Sequence, residues 1–174
     1  MIFDLNKSIE ILKRTPAVVN ALLNGLNSEW LFNNEGENTW SPYDIIGHYI
    51  EGEKTDWIPR MRIILSNGED KRFVPFDRFA QLNNDKTKPV DTLLKEFAEW
   101  RKNNILELRA ANLDEEKLNK RGIHPAFGEV TLRQLLATWV AHDLNHICQI
   151  CRVMAKQYKE EIGPWTQYIS IVNK

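Results

Sequence analysis

The longest uninterrupted helical pattern in the sequence runs from Thr131 to Tyr158. It contains His142 and His146, and a spacing of four places two imidazoles on one face of a helix, one turn apart. Apolar residues recur every three or four positions on this face, so both histidines are predicted to turn inward. The face reads Leu132, Leu135, Trp139, His142, His146, Gln149 and Val153. Two imidazoles can hold a metal ion only if the rest of the chain supplies a third ligand.

Three further segments share this periodicity, and together they predict an all-α four-helix bundle. The predicted helices lie near residues 5–24, 42–66, 89–110 and 131–158. Thr15-Pro16 should restart or kink the first helix, and Pro59 should kink the second. The segment 66–88 has no clear period and forms a long connection between helices two and three, which therefore need not be antiparallel neighbours. No strand-like alternation of useful length appears. One domain is expected over residues 1–174.

The composition of the chain argues against nucleic-acid-binding and membrane proteins. The chain has 174 residues, 43% of them hydrophobic, and a net charge of −1 without a basic patch, which argues against nucleic-acid binding. Neither a signal peptide nor an apolar run of membrane-spanning length is present, so no membrane association is expected. Cys148 and Cys151 lie three apart on one predicted helix, where disulfide geometry is poor. These features predict a cytoplasmic protein with reduced thiols.

His48, near the start of the second helix, is the candidate third ligand. It shares a face with Ile45 and Gly52, and the glycine one turn on should leave room for a ligand. Three neutral imidazoles from two helices suit zinc, nickel, iron or cobalt and leave coordination positions open. The alternative is that each histidine is an ordinary core residue with a hydrogen-bond partner. Spacing alone does not decide whether His48 faces the pair on the last helix.

Three polar residues near these histidines are weak catalytic candidates. Glu51 follows His48 by three positions and could support or join the ligand set, although a solvated acidic face with Glu53 and Asp56 is the alternative. Gln149, one turn after His146, is the best candidate to support a ligand or contact a substrate. Asp143 stands where HDLNH resembles the H-E-x-x-H of zinc proteases, but its side chain is shorter. A helix-surface or supporting role suits Asp143 better, since no later histidine completes a protease site.

Other motifs give weaker signals. Cys148-x2-Cys151 lies in mid-helix and lacks the helix N-terminus that activates redox cysteines, so two small core residues are expected. His124, in the loop before the last helix, either approaches the mouth of the site or is an ordinary loop histidine. An aromatic wall for the site is expected from three residues near the proposed ligands, namely Tyr49, Trp57 and Trp139.

Two stretches of the chain resemble the signatures of the DinB-like superfamily. The first is NTWSPYDIIGHYIEGEKTDWIPRMRIIL, with a Trp, a helix cap and a Gly-His pair. The second is HPAFGEVTLRQLLATWVAHDLNHICQICRVM, with a Thr-Leu cap, His-x3-His and a following Gln. Helix order and lengths also match along nearly the whole chain. The resemblance implies an up-down-down-up bundle, a zinc or nickel ion at His48, His142 and His146, and a homodimer.

The resemblance also sets the expected activity, because characterised relatives include thiol-S-transferases that use low-molecular-weight thiols. Transfer from such a thiol to a small electrophile is therefore expected. Metal-dependent hydrolysis of a small substrate and a non-catalytic stress-response or binding module are the alternatives. Few acids lie near the proposed ligands to act as a base for water, which favours transfer. A fourth protein ligand such as Glu51 would favour the non-catalytic module, since structural zinc sites are usually closed.

Overall fold

A computed structural model describes residues 1–83 and 86–174, and the prediction of a mostly helical chain is confirmed. Seven α-helices are present in the described residues: α1 (Leu5–Leu23), α2 (Ser28–Phe32), α3 (Pro42–Thr55), α4 (Trp57–Leu65), α5 (Val90–Ala110), α6 (Glu115–Asn119) and α7 (Leu132–Lys156). Short 3₁₀ helices span Ala80–Asn83, Gly163–Gln167 and Ser170–Asn173. Among these helices, none is long and apolar enough to cross a membrane.

The two helices that carry the candidate ligands begin at strong caps. Before α3, the Ser41 hydroxyl accepts from the Asp44 amide while the Asp44 carboxylate accepts from the Ser41 amide. Thr131 and Gln134 form the same reciprocal pair before α7. Each pair satisfies amide groups that the first turn of a helix leaves without partners. The starting points of both helices, and hence the register of their histidines, are fixed locally.

The prolines act differently from the prediction. The second helix is broken rather than kinked, and the break lies at Asp56, three residues before Pro59. Pro59 then falls in the first turn of α4, where a missing amide hydrogen costs no helical bond. In contrast, α1 continues through Pro16 to Leu23 without interruption.

The long helices pack so that α3 and α7 face each other. Helix α1 contacts α5 and α7, and α3 contacts the same two helices. Two clusters of buried apolar side chains fill the interior. Trp100 is 38% exposed on the outer side of α5. The contact between α3 and α7 brings His48 opposite His142 and His146, whereas the up-down-down-up order stays a prediction.

A two-stranded antiparallel hairpin, β1 (Arg121–His124) and β2 (Gly128–Thr131), precedes α7 and corrects the expectation of a chain without strands. Its strands are four residues each, too short for a period-two pattern to stand out. The turn needs Gly128, whose φ of 71° is in the left-handed region.

The connection between α4 and α5 is held against the bundle at two places. The Phe73 amide donates to the Ile123 carbonyl at 2.9 Å, which ties the connection to the hairpin. Further on, Gln81 packs directly on α3, where a Cβ added to Gly47 would lie 2.9 Å from the Gln81 Cβ. Only a glycine at position 47 allows this approach. The connection therefore lies beside His48, the next residue of α3.

Candidate metal centre

Three imidazoles from two helices converge in the interior. One ring nitrogen each of His48, His142 and His146 lies within 4.8 Å of the other two, and no other group of three or more such ligands occurs among the described residues. The Nε2 atoms of His48 and His142 are 3.0 Å apart. His48 and His146 are 4% and 7% exposed. The geometry answers what spacing left open, because His48 does face the pair on α7.

The surroundings of this cluster keep two of its imidazole rings, those of His48 and His146, uncharged. Burial, helped by the other two histidines, lowers the pKa of His48 to about 3. Burial and the neighbouring His142 lower the pKa of His146 to about 4. A neutral imidazole has a free lone pair, which is the form that binds metals. Both rings are therefore in the ligand form at neutral pH.

Gln149 sets the orientation of one of these rings. Its side-chain oxygen lies 2.7 Å from His146 Nδ1, so Nδ1 donates the hydrogen and the lone pair resides on Nε2. Metal-binding histidines usually donate their second nitrogen in this way to an oxygen of the protein. Gln149 therefore lies where the sequence pattern expected a supporting residue.

The donor set fits a divalent ion. Two nitrogens that share a tetrahedral zinc at about 2.1 Å lie roughly 3.4 Å apart, and the Nε2 atoms of His48 and His142 are 3.0 Å apart. The hydrogen bond to Gln149 leaves the lone pair of His146 on Nε2 as well. Three ring nitrogens that converge in this way fit a divalent ion better than they fit an ordinary hydrogen-bonded core.

A cleft of about 550 Å³ opens onto the cluster. Its aromatic lining comes from Trp40, Phe76 and Phe79, with the Trp40 ring 4.7 Å from that of His48. The remaining lining residues are the three histidines and Glu35, Asn38, Thr39, Asp56, Arg78, Asn145, Gln149 and Arg152. The expected wall of Tyr49, Trp57 and Trp139 was wrongly placed. These three rings are buried behind the histidines and do not reach the cleft.

Two carboxylates of residues 1–83 and 86–174 line the cleft, and both are ion-paired. Glu35 accepts from Arg152 at 2.7 Å and lies 2.9 Å from Lys156, and the hydrogen bond from Arg152 is the main reason that its pKa falls to about 2. Asp56 lies 2.7 Å from Arg60, yet burial outweighs this pair and raises its pKa. Asp56 is therefore the cleft carboxylate that is easier to protonate.

A buried ion network adjoins the cluster on the other side of α7. Arg101 donates to Asp143 at 2.6 and 3.0 Å and to Glu53 at 2.7 and 3.0 Å. Burial opposes the charge on Asp143, but Arg101 outweighs it and lowers the pKa of that carboxyl. The expectations of a helix-surface Asp143 and a solvated Glu53 are wrong, since these residues are 0% and 1% exposed. The supporting role also expected for Asp143 stays a prediction, and a hydrogen bond with His142 helps to lower its pKa. Asp143 is a counter-ion of Arg101 outside the cleft.

The structure does not bring the other candidates to the cluster. Glu51 lines a separate cleft with Lys54 and Gln81 on another side of α3. His124 accepts hydrogen bonds from the amides of the hairpin turn, so it is a turn residue. Cys148 is exposed and Cys151 partly buried, which corrects the expected pair of core residues.

The small residue at position 52 has a structural explanation. A Cβ there would meet the Trp57 indole nitrogen at 3.2 Å. The glycine therefore makes room for a tryptophan and not for a ligand.

Three residues of the cleft and the ion network were not predicted from the sequence in these roles. Arg101 interrupts the apolar stripe of α5 between Phe97 and Ile105, a signal for a buried ion pair that could have been used. Asp56 and Arg78 reach the cleft only because of the helix break and the course of the connection. Neither has a recognisable sequence pattern.

The comparisons agree with this fold. The model of the DinB superfamily matches residues 11–150. The solved structure of YfiT from Bacillus subtilis, described as a probable metal-dependent hydrolase with an unusual four-helix bundle topology, superposes with a TM-score of 0.74 at 19% identity. The match covers 87% of this chain and 86% of YfiT, and at such identity it shows a shared fold alone. No curated protein matches the chain. Because the family model spans most of the sequence, the protein belongs to the DinB superfamily.

Proposed function

We propose that the protein is a metal-dependent enzyme in which His48, His142 and His146 hold one divalent ion, zinc or nickel. The observation that carries this is the convergence of three ring nitrogens within 4.8 Å at the floor of a cleft. An ion held there would lower the pKa of a thiol or a water molecule at its open position. Gln149 fixes the ring of His146 for this purpose.

The reaction that we propose is transfer of a low-molecular-weight thiol to a small electrophile. The thiol would release its proton to solvent, its sulfur would form a bond to the electrophilic carbon, and the leaving group would depart with the electron pair of the bond that breaks. Attack by a thiolate needs no carboxylate base, which suits a cleft where Glu35 and Asp56 are both ion-paired. The aromatic side chains of Trp40, Phe76 and Phe79 would bind an apolar electrophile. Neither cysteine lines the cleft, so the thiol comes from outside the protein.

Hydrolysis is the second candidate, and Asp56 favours it. This carboxylate lines the cleft, its pKa is raised by burial, and its Oδ1 lacks a well-formed hydrogen bond. A carboxyl group in this state can take a proton from an attacking water. A non-catalytic module is less well supported, because no fourth histidine, cysteine or carboxylate joins the three histidines among the described residues.

One assay separates these reactions. Metal-loaded protein is incubated with a panel of small thiols and a chromogenic electrophile, and in parallel with esters and amides without thiol. Thiol-dependent turnover that is lost in His48→Ala and kept in Asp56→Asn and His124→Ala is expected. Ester or amide cleavage without thiol, lost in Asp56→Asn, would establish hydrolysis instead. No turnover in either panel with metal bound would leave a binding module. The proposal extends to a homodimer, which sedimentation would test.

A further inference from the structure

A second depression lies between α1 and α5. It has a volume of about 500 Å³, within the range of small-molecule sites. Its apolar lining includes Pro16 and Ala17 of α1 together with Ala98 and Leu106 of α5. Leu106 is 59% exposed, although it is a large aliphatic residue in mid-helix. None of the lining residues belongs to the histidine cleft.

The charges at this groove have one sign. Lys13, Lys95, Lys102 and Arg109 lie along its edges, and no carboxylate from the described part of the chain lines it. Lys95 is paired with Asp91 at 2.9 Å, and Lys102 only weakly with Glu99 at 3.8 Å. Lys13 and Arg109 form no ion pair with any carboxylate in residues 1–83 and 86–174. These two cations also line an adjoining depression that contains Glu10, so they mark one end of the groove.

The geometry matches a molecule with an apolar chain and an anionic end. Along α5 the groove extends from Leu94 to Arg109, roughly 22 Å at the rise of an α-helix, which is enough for a medium-length alkyl chain. Burying the chain would remove apolar surface from water, and the unpaired cations would meet the anionic head. A two-fold dimer through this face would place one cationic edge against another, which disfavours a second copy as the occupant.

We propose that the groove between α1 and α5 binds a fatty-acid-type anionic amphiphile, with its carboxylate at Lys13 and Arg109. The site is separate from the histidine cleft and does not depend on a metal. Arg101, whose side chain lines the groove, is committed to Glu53 and Asp143 and is not available to the ligand.

The test is calorimetric titration of the full chain with dodecanoate below its micelle concentration, beside dodecyltrimethylammonium. Dodecanoate should bind at one site and the cationic amphiphile should not. The double variant Lys13→Glu/Arg109→Glu should weaken binding by about tenfold or more, since two attractive charges become repulsive. Glu10→Gln should tighten it roughly twofold. Lys7→Glu/Lys120→Glu, a matched reversal of two cations that line neither depression, should bind as the wild type does.

Ala98→Phe fills the groove from an exposed position and should abolish binding, with circular dichroism checking that the helices are intact. Equal binding of both amphiphiles, or unchanged affinity in the charge-reversal variant, would overturn the proposal. It would also fail if Leu106→Glu converted a dimer into a monomer, because the groove would then be an interface between copies. An acidic amphipathic peptide that binds more tightly than dodecanoate and competes with it would instead assign the groove to a protein partner.

Discussion

Helix α7 presents two neighbouring residues to two very different polar regions. Asp143 points into the ion network, where Arg101 also bonds Glu53 and every charged group has a partner. His142, one residue earlier, points into the histidine cluster, where its Nε2 lies 3.0 Å from that of His48. A step of one residue turns a helix by about 100°, which separates the two regions. The satisfied region holds the helices together, whereas the cluster brings together ring nitrogens of the kind that bind metal ions.

The largest expected effect is the loss of metal from the cluster. The double variant His142→Ala/His146→Ala removes two of three ligands, so tight binding of a divalent ion should disappear. Elemental analysis should find about one ion per chain in the wild type and nearly none in the variant. His124→Ala is the control, because His124 lies outside the cluster and should leave the metal content unchanged. Equal metal content in the double variant and the wild type would show that these histidines do not form the metal site.

Disrupting the ion network around Arg101 should lower the free energy of unfolding. Arg101→Ala leaves Glu53 and Asp143 as buried, unpaired carboxylates, which typically costs about 3–5 kcal/mol in the free energy of unfolding. Urea titration followed by circular dichroism measures this loss. Lys102→Ala, the adjacent and exposed substitution, should change stability by less than about 0.5 kcal/mol. A small effect of Arg101→Ala would mean that the network does not hold α3, α5 and α7 together.

The two regions should also differ in how pH affects the metal-free chain. His48 and His146 have folded pKa values of about 3 and about 4, below the ordinary 6.5. At a pH between the folded value and 6.5, each of these histidines therefore binds more protons in the unfolded chain than in the folded one. Their contribution to stability is therefore complete above about pH 6.5 and is lost as pH falls, by about 2–3 kcal/mol between pH 7.5 and 5.5. Urea titrations in a chelator should show a flatter pH dependence in His48→Gln/His146→Gln. Parallel curves would show that the imidazoles are not held neutral.

The smallest expected effect is at Gln149. Replacing it with Ala removes the oxygen that accepts from His146, and metal affinity should fall by about tenfold while the stoichiometry stays at one. Competition with a chromophoric chelator measures the change. Asn145→Ala, also on the cleft but without a bond to the cluster, is the matched control. If both variants bind equally well, Gln149 does not orient the ring.

Much of the fold and the three histidines could be predicted because they depend on local patterns. The caps at Ser41 and Thr131 and the apolar faces of α3 and α7 fix where the helices begin and which way the histidines point. That His48 meets the other two could not be obtained from spacing, since it depends on how the helices pack.

The rest depends on contacts between distant segments. Asp143 was expected at the surface or in a supporting role because nothing near it in sequence reveals Arg101, 42 residues away. Phe76, Arg78 and Phe79 reach the cleft through a connection without periodicity. The hairpin was missed because each strand is only four residues long. Such features are determined by tertiary packing, which a local pattern does not record.

The contact between Gly47 and Gln81 joins two parts of the chain that contribute differently to the cleft. The helices provide the ligands, and the connection that rests on Gly47 provides the outer wall of the cleft through Phe76 and Phe79. Selectivity can therefore be altered by replacing wall residues while the ligand nitrogens stay in place. Exchanging Phe76 and Phe79 for smaller residues should change which molecules bind and leave the metal content as it was. In a scaffold of this kind the molecule that binds in the cleft can change while the three histidines stay as they are.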